Sequence, residues 1–287
     1  MTFRPLPAVA ALGVLFSLTP SASASFHLMQ IEQVIGGVYG NASAQAIQLR
    51  MRSSGQDQLA SARIRAFDAN GNNPVVIIDF STSVTNSAVG DRILVTSAAF
   101  NALTTPAASA DYTMTSVIPS GYLAAGSLTF ETNDGLTIYW RISWGGGSYT
   151  GPTTGASTND NDGNFGSAIN GALPTADARA LLFRNAASAK SAANQTDYNR
   201  TSVAAIFTNN ARTNFTITVP TSSCAHAGCE RGDLNADCVV DMNDLNILLL
   251  NYNQSGKIHS QGDTDGNGFV DIGDLGTLLA QFGSNCN

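Results

Sequence analysis

Between Gly232 and Gly283 the chain carries one pattern twice, thirty positions apart: a twelve-residue loop rich in aspartate, then a stretch of apolar helical period. Asp233, Asn235, Asp237, Asp241 and Asp244 occupy places 1, 3, 5, 9 and 12 of the first loop. Asp263, Asp265, Asn267, Asp271 and Asp274 occupy the same places of the second. Alternate side chains turn inward in such a loop, place 7 adds a backbone carbonyl (Val239 and Phe269), and place 12 closes the shell. A donor set made only of hard oxygens implies Ca²⁺, one ion in each loop. After the loops, Leu245, Leu248, Leu249 and Tyr252, then Leu275, Leu278, Leu279 and Phe282, recur at i, i+3, i+4 and i+7. That spacing predicts two amphipathic helices, each with one buried stripe.

A pair of ordinary EF-hands would need a helix entering the first loop. The residues available, Cys224 to Gly232, include two cysteines and two glycines and do not supply one. Place 12 is Asp in both loops, where an ordinary EF-hand uses the longer Glu. With these features residues 232–287 resemble a type I dockerin, the Ca²⁺-binding module that docks secreted proteins onto cohesin domains. The resemblance covers about a fifth of the chain. It implies a small all-α module, two Ca²⁺ ions and a cohesin-like partner read at places 10 and 11, here Met242 and Asn243, then Ile272 and Gly273. Neither pair is the hydroxyl pair familiar in the family, so the identity of the partner stays open. The first loop also has Cys238 at place 6, where the sharp turn normally wants Gly, as the second loop has in Gly268.

All four cysteines, Cys224, Cys229, Cys238 and Cys286, lie in this C-terminal part. In an exported chain they are expected to pair, and three connectivities are open. The dockerin resemblance implies one of them: antiparallel stripe helices place the end of the second beside the first loop, giving Cys238–Cys286 and leaving Cys224–Cys229 as a local pair.

Export is expected from the opposite end. Arg4, an apolar run from Ala8 to Leu18 and the small residues Ala22-Ser23-Ala24 read as a signal peptide over 1–24, too short to span a bilayer. The expected location is therefore secreted, extracellular or cell-surface associated, with no transmembrane segment. The net charge of −7 reflects mainly the loops: residues 223–287 set Glu230 and eight loop aspartates against Arg231 and Lys257. No basic patch suits a nucleic acid.

Residues 25–219 read as an antiparallel β-sandwich, joined by a linker over 220–231 that begins with Pro220. Ile47, Leu49 and Met51 alternate with Gln48, Arg50 and Arg52, and Ile64 and Ala66 with Arg63 and Arg65. Asn70-Gly71 precedes the apolar run Val75 to Phe80, and Asn133-Asp134-Gly135 separates Leu128 to Thr132 from Leu136 to Trp144, so two hairpins are expected. Arg92 to Val95, Ala180 to Phe183, Val203 to Phe207 and Phe215 to Val219 supply further strands. Ile31 to Val34, Ala46 to Arg50, Ala62 to Phe67 and Gly90 to Val95 are similar in order to the first strands of a lamin-tail-like β-sandwich.

For chemistry this region offers little. Its only histidine is His27 and it has no Gly-x-Ser-x-Gly elbow, which argues against a triad. Glu32 and Glu131 are its only glutamates, and a glycoside hydrolase could use them if folding brought them ~5 to 9 Å apart. Trp140, Trp144 and Tyr149 could stack on a polysaccharide, but Ile138, Trp140, Ile142 and Trp144 share one face at period two, the spacing of a core. Asp160, Asp162 and Asn164 read as a polar surface turn. The expectation is a secreted, Ca²⁺-dependent docking protein with a β-sandwich that does not turn over substrate. A polysaccharide-binding or polysaccharide-cleaving domain on the same tail is the alternative.

Overall fold

The longer strands form where the sequence alternates at period two or runs apolar, and two of the hairpin turns fall at glycines. The computed structural model describes Met1 and residues 26–156, 162–190, 192–218, 231–235 and 239–284. The expected signal peptide, residues 220–230 of the linker, Asp160, Asp237 and the four cysteines lie outside the described residues.

The strands are β1 (Met29–Ile35), β2 (Ala46–Met51), β3 (Ala62–Phe67), β4 (Val75–Asp79), β5 (Arg92–Thr96), β6 (Thr104–Thr105) and β7 (Tyr112–Thr113). They continue as β8 (Gly126–Thr132), β9 (Ile138–Trp144), β10 (Leu181–Phe183), β11 (Tyr198–Arg200), β12 (Ile206–Thr208) and β13 (Asn214–Ile217). Helices α1 (Ala98–Asn101) and α2 (Asn194–Asp197) are single turns, whereas α3 (Met242–Leu250) and α4 (Ile272–Gln281) follow the two loops. The chain is mainly β. Both expected hairpins form, β3–β4 and β8–β9, with Gly71 and Gly135 at φ of 72° and 76° in their turns. Any other residue at Gly135 would be strained by its positive φ, and an added Cβ would also push the Arg63 guanidinium, 2.2 Å away at Nη2, aside.

Three sheets result, in the orders β11-β10-β1-β2-β5-β7, β4-β3-β8-β9 and β12-β13-β6. Every pairing is antiparallel except β5 with β7. The main core lies between the six- and four-stranded sheets. It joins Ile31, Ile47, Leu49, Ile93 and Val95 to Ile64, Leu128, Phe130, Trp140 and Trp144. On the other face of the six-stranded sheet, Ile35, Ala46, Leu94 and Ala180 pack against Phe207, Phe215 and Ile217 of the small sheet. The central strands are thus covered on both sides, and all seven residues of β1 are buried. Alternation in β2 predicts an outward polar face at Gln48 and Arg50. That face exists, but Gln48 is only 2% exposed, because the third layer stands over it.

Among the described residues no helix is long and apolar enough to cross a membrane.

Candidate functional site

The loop aspartates have a local task before any ligand is considered. Asp241 and Asp271 are the N-caps of α3 and α4, and Asp244 and Asp274 complete a capping box in each helix. Such a cap stabilises a helix by about 1 kcal/mol. The same two bonds recur around each place-12 carboxylate. Oδ1 of Asp244 accepts from the backbone N–H of Leu234 at 2.7 Å and Asn235 at 3.1 Å; Oδ1 of Asp274 accepts from Thr264 at 2.7 Å and Asp265 at 3.2 Å. Both place-12 side chains are fully buried. Each is therefore anchored at the centre of its loop by short-range contacts.

In the second loop Asp263, Asp265 and Asp274 each offer a carboxylate oxygen within 4.8 Å of the other two. That span is about twice a Ca²⁺–oxygen distance of ~2.3–2.6 Å, and the donors are all hard oxygens, so the set fits this ion. The backbone N–H groups of Gly266 and Gly268 point at Asp263, at 2.9 Å each, and hold the loop curled. Burial, reinforced by the charges of Asp274 and Asp265, holds the Asp263 carboxyl above its ordinary value despite those N–H groups. Like charges gathered without a cation raise a carboxyl in this way. In the first loop Asp233 and Asp244 are buried and Asn235 and Asp241 flank them, while Asp237 lies outside the described residues. Val239 and Phe269 stand at place 7, and Asn267 and Asp271 complete the second loop.

The two copies are tied to each other reciprocally. Val270 of the second loop exchanges backbone bonds with the chain after α3: Asn253 N–H donates to its carbonyl at 2.7 Å, and its own N–H to Gln254 at 3.0 Å. Val240 of the first loop does the same with the chain after α4, through Gly283 at 2.8 Å and Ser284 at 3.0 Å. Leu234, Val240, Leu248, Val270 and Leu278 form the small core between them.

The helix stripes are narrower than the spacing predicts. Leu248 and Leu278 are fully buried and Leu245 and Leu275 partly so, but Leu249, Tyr252, Leu279 and Phe282 are exposed. Helices of nine and ten residues meet along one line only, which leaves the i+4 residues Leu249 and Leu279 turned outward, while the i+7 residues Tyr252 and Phe282 fall past the helix ends. Exposure is the same at each matching position of the two helices, and Met242, Asn243, Ile272 and Gly273 are all exposed.

The structure does not bring Glu32 and Glu131 together. Each lies on the face of its own sheet opposite the main core, because its neighbours Ile31 and Phe130 point into that core. Two sheets and the ~10 Å between them separate the carboxylates, so they cannot share a glycosidic bond. Each is instead the centre of an ion-pair cluster. Glu32 accepts from Arg92 through Nε at 2.6 Å and Nη2 at 3.0 Å, and from Gln48 at 2.7 Å, and pairs with Nη1 of Arg50 at 2.8 Å. Glu131 accepts from Arg63 at 2.7 Å, from Nη2 of Arg65 at 3.0 Å and from Thr129 at 2.8 Å, with Nε of Arg65 also in contact. A carboxylate has about four acceptor directions; the four bonds to Glu32 take all of them, and Glu131 accepts three hydrogen bonds with Nε of Arg65 in ion-pair contact.

These clusters escaped the sequence analysis, although a signal was present: Arg63 and Arg65 at alternate positions of β3, and Arg50 and Arg92 at the polar positions of β2 and β5, face the only glutamates of the region. Glu32 is the extra residue of a β-bulge between Ile31 and Gln33, which re-aims it between Arg50 and Arg92. Those two arginines are direct cross-strand partners and would repel without it.

The aromatic residues are core, as their spacing predicts. Trp140 and Trp144 are fully buried; Trp140 Nε1 donates to the Tyr198 hydroxyl at 2.8 Å and Trp144 Nε1 to the Tyr122 carbonyl at 2.9 Å. Tyr149 is 7% exposed, so no flat platform for sugars remains at these three residues. Asn164 N–H donates to Asp162 at 3.0 Å within a turn.

Compared with family models, with curated proteins and with solved structures, the chain gives no significant match in any of the three.

Proposed function

We propose that residues 232–287 are a Ca²⁺-dependent docking module of the dockerin type, which attaches a non-catalytic β domain of an exported protein to a cohesin-like partner. The observation that carries this reading is the duplication in three dimensions: the same capping box, the same bonds to place 12 and the same exposure along both helices. Asp233, Asn235, Asp237, Asp241 and Asp244, with the Val239 carbonyl, would hold one ion. Asp263, Asp265, Asn267, Asp271 and Asp274, with the Phe269 carbonyl, would hold the other. Bound Ca²⁺ supplies charge neutralisation and no reaction; the protein's own groups cap the helices and aim the oxygens.

The docking part of the reading is supported by what the helices leave uncovered. Met242 and Leu249 of α3 are 57% and 51% exposed, and Ile272 and Leu279 of α4 are 70% and 52% exposed. Two short helices with matched apolar outer positions are suited to a protein partner. The non-catalytic part rests on Glu32 and Glu131, which lie on opposite sheets and are each held by two arginines of the protein itself.

Calorimetric titration of the full chain with Ca²⁺ tests the metal sites. Two ions are expected to bind, and one each to Asp244→Ala and Asp274→Ala. Absence of binding in the parent chain, or an unchanged count in both variants, overturns the proposal.

A further inference from the structure

The outer face of the six-stranded sheet has two halves. Ile35, Ala46, Leu94 and Ala180 are covered by the small sheet, whereas Glu32, Gln48, Arg50 and Arg92 floor an open groove of about 390 Å³. Leu182, Phe183, Arg184 and Asn185 wall it on the β10 side, and Ile206 and Thr208 on the β12 side. Gln48 ties the far wall to the floor, since its Oε1 accepts from Thr208 N–H at 2.5 Å while its Nε2 donates to Glu32. The floor is thus rigid and already hydrogen-bonded.

Arg50 and Arg92 pair with the one carboxylate here and Arg184 lines the same groove, which makes it locally cationic in a chain of net charge −7. Not all of that charge is used internally. Arg50 is fully engaged, by Gln30 at 2.5 Å, the Asn185 carbonyl at 2.7 Å and Glu32. Arg92 gives Nε and Nη2 to Glu32 and keeps Nη1. Arg184 is exposed at the rim, and no side-chain partner for it occurs among the described residues. Two apolar side chains, half-buried Leu182 and Ile206 at 51% exposure, border the same opening.

We propose that this groove binds a small organic acid by its carboxylate, with the spare donors of Arg92 and Arg184 taking the two oxygens and Leu182 and Ile206 flanking the carbon body. A guanidinium matches a planar two-oxygen anion, and charged hydrogen bonds of this kind are the strong ones. Glu32 in the floor selects against a second negative charge, so a monoanion is favoured over a phosphate dianion. The volume, near the lower end of the ~300–1,000 Å³ typical of small-molecule sites, suits a body of about one sugar ring. A uronic acid has this chemistry, either as the free acid or as one unit of an acidic polysaccharide. The assignment does not depend on the Ca²⁺ sites.

The test is ligand-observed NMR and calorimetry on the full chain with glucuronate, a short oligo-uronate, and glucose as the neutral control. Glucuronate is expected to bind, to weaken with added salt as surface charge pairing does, and to bind Arg184→Ala about tenfold more weakly. Because the Arg184 side chain is exposed and unpaired, that variant should keep its melting temperature. Oligo-uronate binding as well as or better than the monomer identifies the polysaccharide as the source; binding of the monomer alone identifies the free acid. No saturable binding of either anion, equal binding of glucose, or affinity unchanged by both salt and Arg184→Ala overturns the proposal.

Discussion

The β region and the C-terminal segment both bury carboxylates, and they balance them in opposite ways. Glu32 and Glu131 are surrounded by the protein's own guanidiniums, at 2.6 to 3.0 Å, and need nothing from solution. Asp263, Asp265 and Asp274 offer carboxylate oxygens within 4.8 Å of one another and accept from backbone N–H groups, the Thr264 hydroxyl and the Asn267 amide, all of them neutral donors. The first arrangement is complete in itself, which is why it reads as architecture. The second gathers like charges with no guanidinium among its hydrogen-bond partners in the described residues, and this difference is what singles it out as the candidate metal site.

Removal of Ca²⁺ should separate the two regions most clearly. The C-terminal segment has a five-residue buried core, too little to offset chain entropy unaided, so metal binding is expected to supply its folding free energy. On addition of a chelator, circular dichroism should lose the α3 and α4 signal while the β signal and its melting transition persist. Helical signal that survives chelation would break the contrast.

Glu131→Ala probes the other side. Leaving Arg63 and Arg65 partly buried without their carboxylate should cost about 3–5 kcal/mol, seen as a lower urea midpoint, with the Ca²⁺ count unchanged. A loss below ~1 kcal/mol would mean that solvent, not Glu131, balances those arginines.

The cysteine pairing is the next test. Val240 and Ser284 are joined by backbone bonds, and they stand two residues from Cys238 and Cys286 in sequence. A Cys238–Cys286 bond would close a loop of about 50 residues and should stabilise by about 2–4 kcal/mol. Peptide mapping under non-reducing conditions should recover that pair. A fragment joining Cys229 to Cys238 rules it out.

The smallest effect is expected at Asp91. The Arg212 guanidinium, bonded at 2.9 and 3.1 Å, holds its carboxyl below the ordinary value against a burial that pushes it up. A carboxyl depressed by folding contributes stability above its unfolded value and loses it as the pH falls through the folded one. Asp91→Asn should therefore lower the melting temperature slightly at pH 7, and the difference should close as the pH falls below the ordinary carboxylate range.

Much of the C-terminal segment was legible from residue order alone. Loop places, N-caps and helix starts depend on contacts within about a dozen residues, so a spacing such as Asp263 to Asp274 carries the geometry with it. Stripe width was not legible, because it depends on how much of each helix its partner reaches. Most strands and both hairpin turns were readable from alternation and glycine, although β12 and β13 start and stop a residue or more away from the apolar runs.

By itself the sequence determined that the chain is mainly β with a duplicated acidic loop, since period, turn chemistry and ligand spacing are all local. Only the tertiary structure decided what the glutamates do. Arg63 stands opposite Glu131 across β3 and β8, and Glu32 is turned between Arg50 and Arg92 by a bulge. These partners are 18 to 68 residues apart in sequence, brought together by strand register. A one-residue slip in that register would turn every such side chain to the other face, so the alternating arginines hint at partners while only the register pairs them.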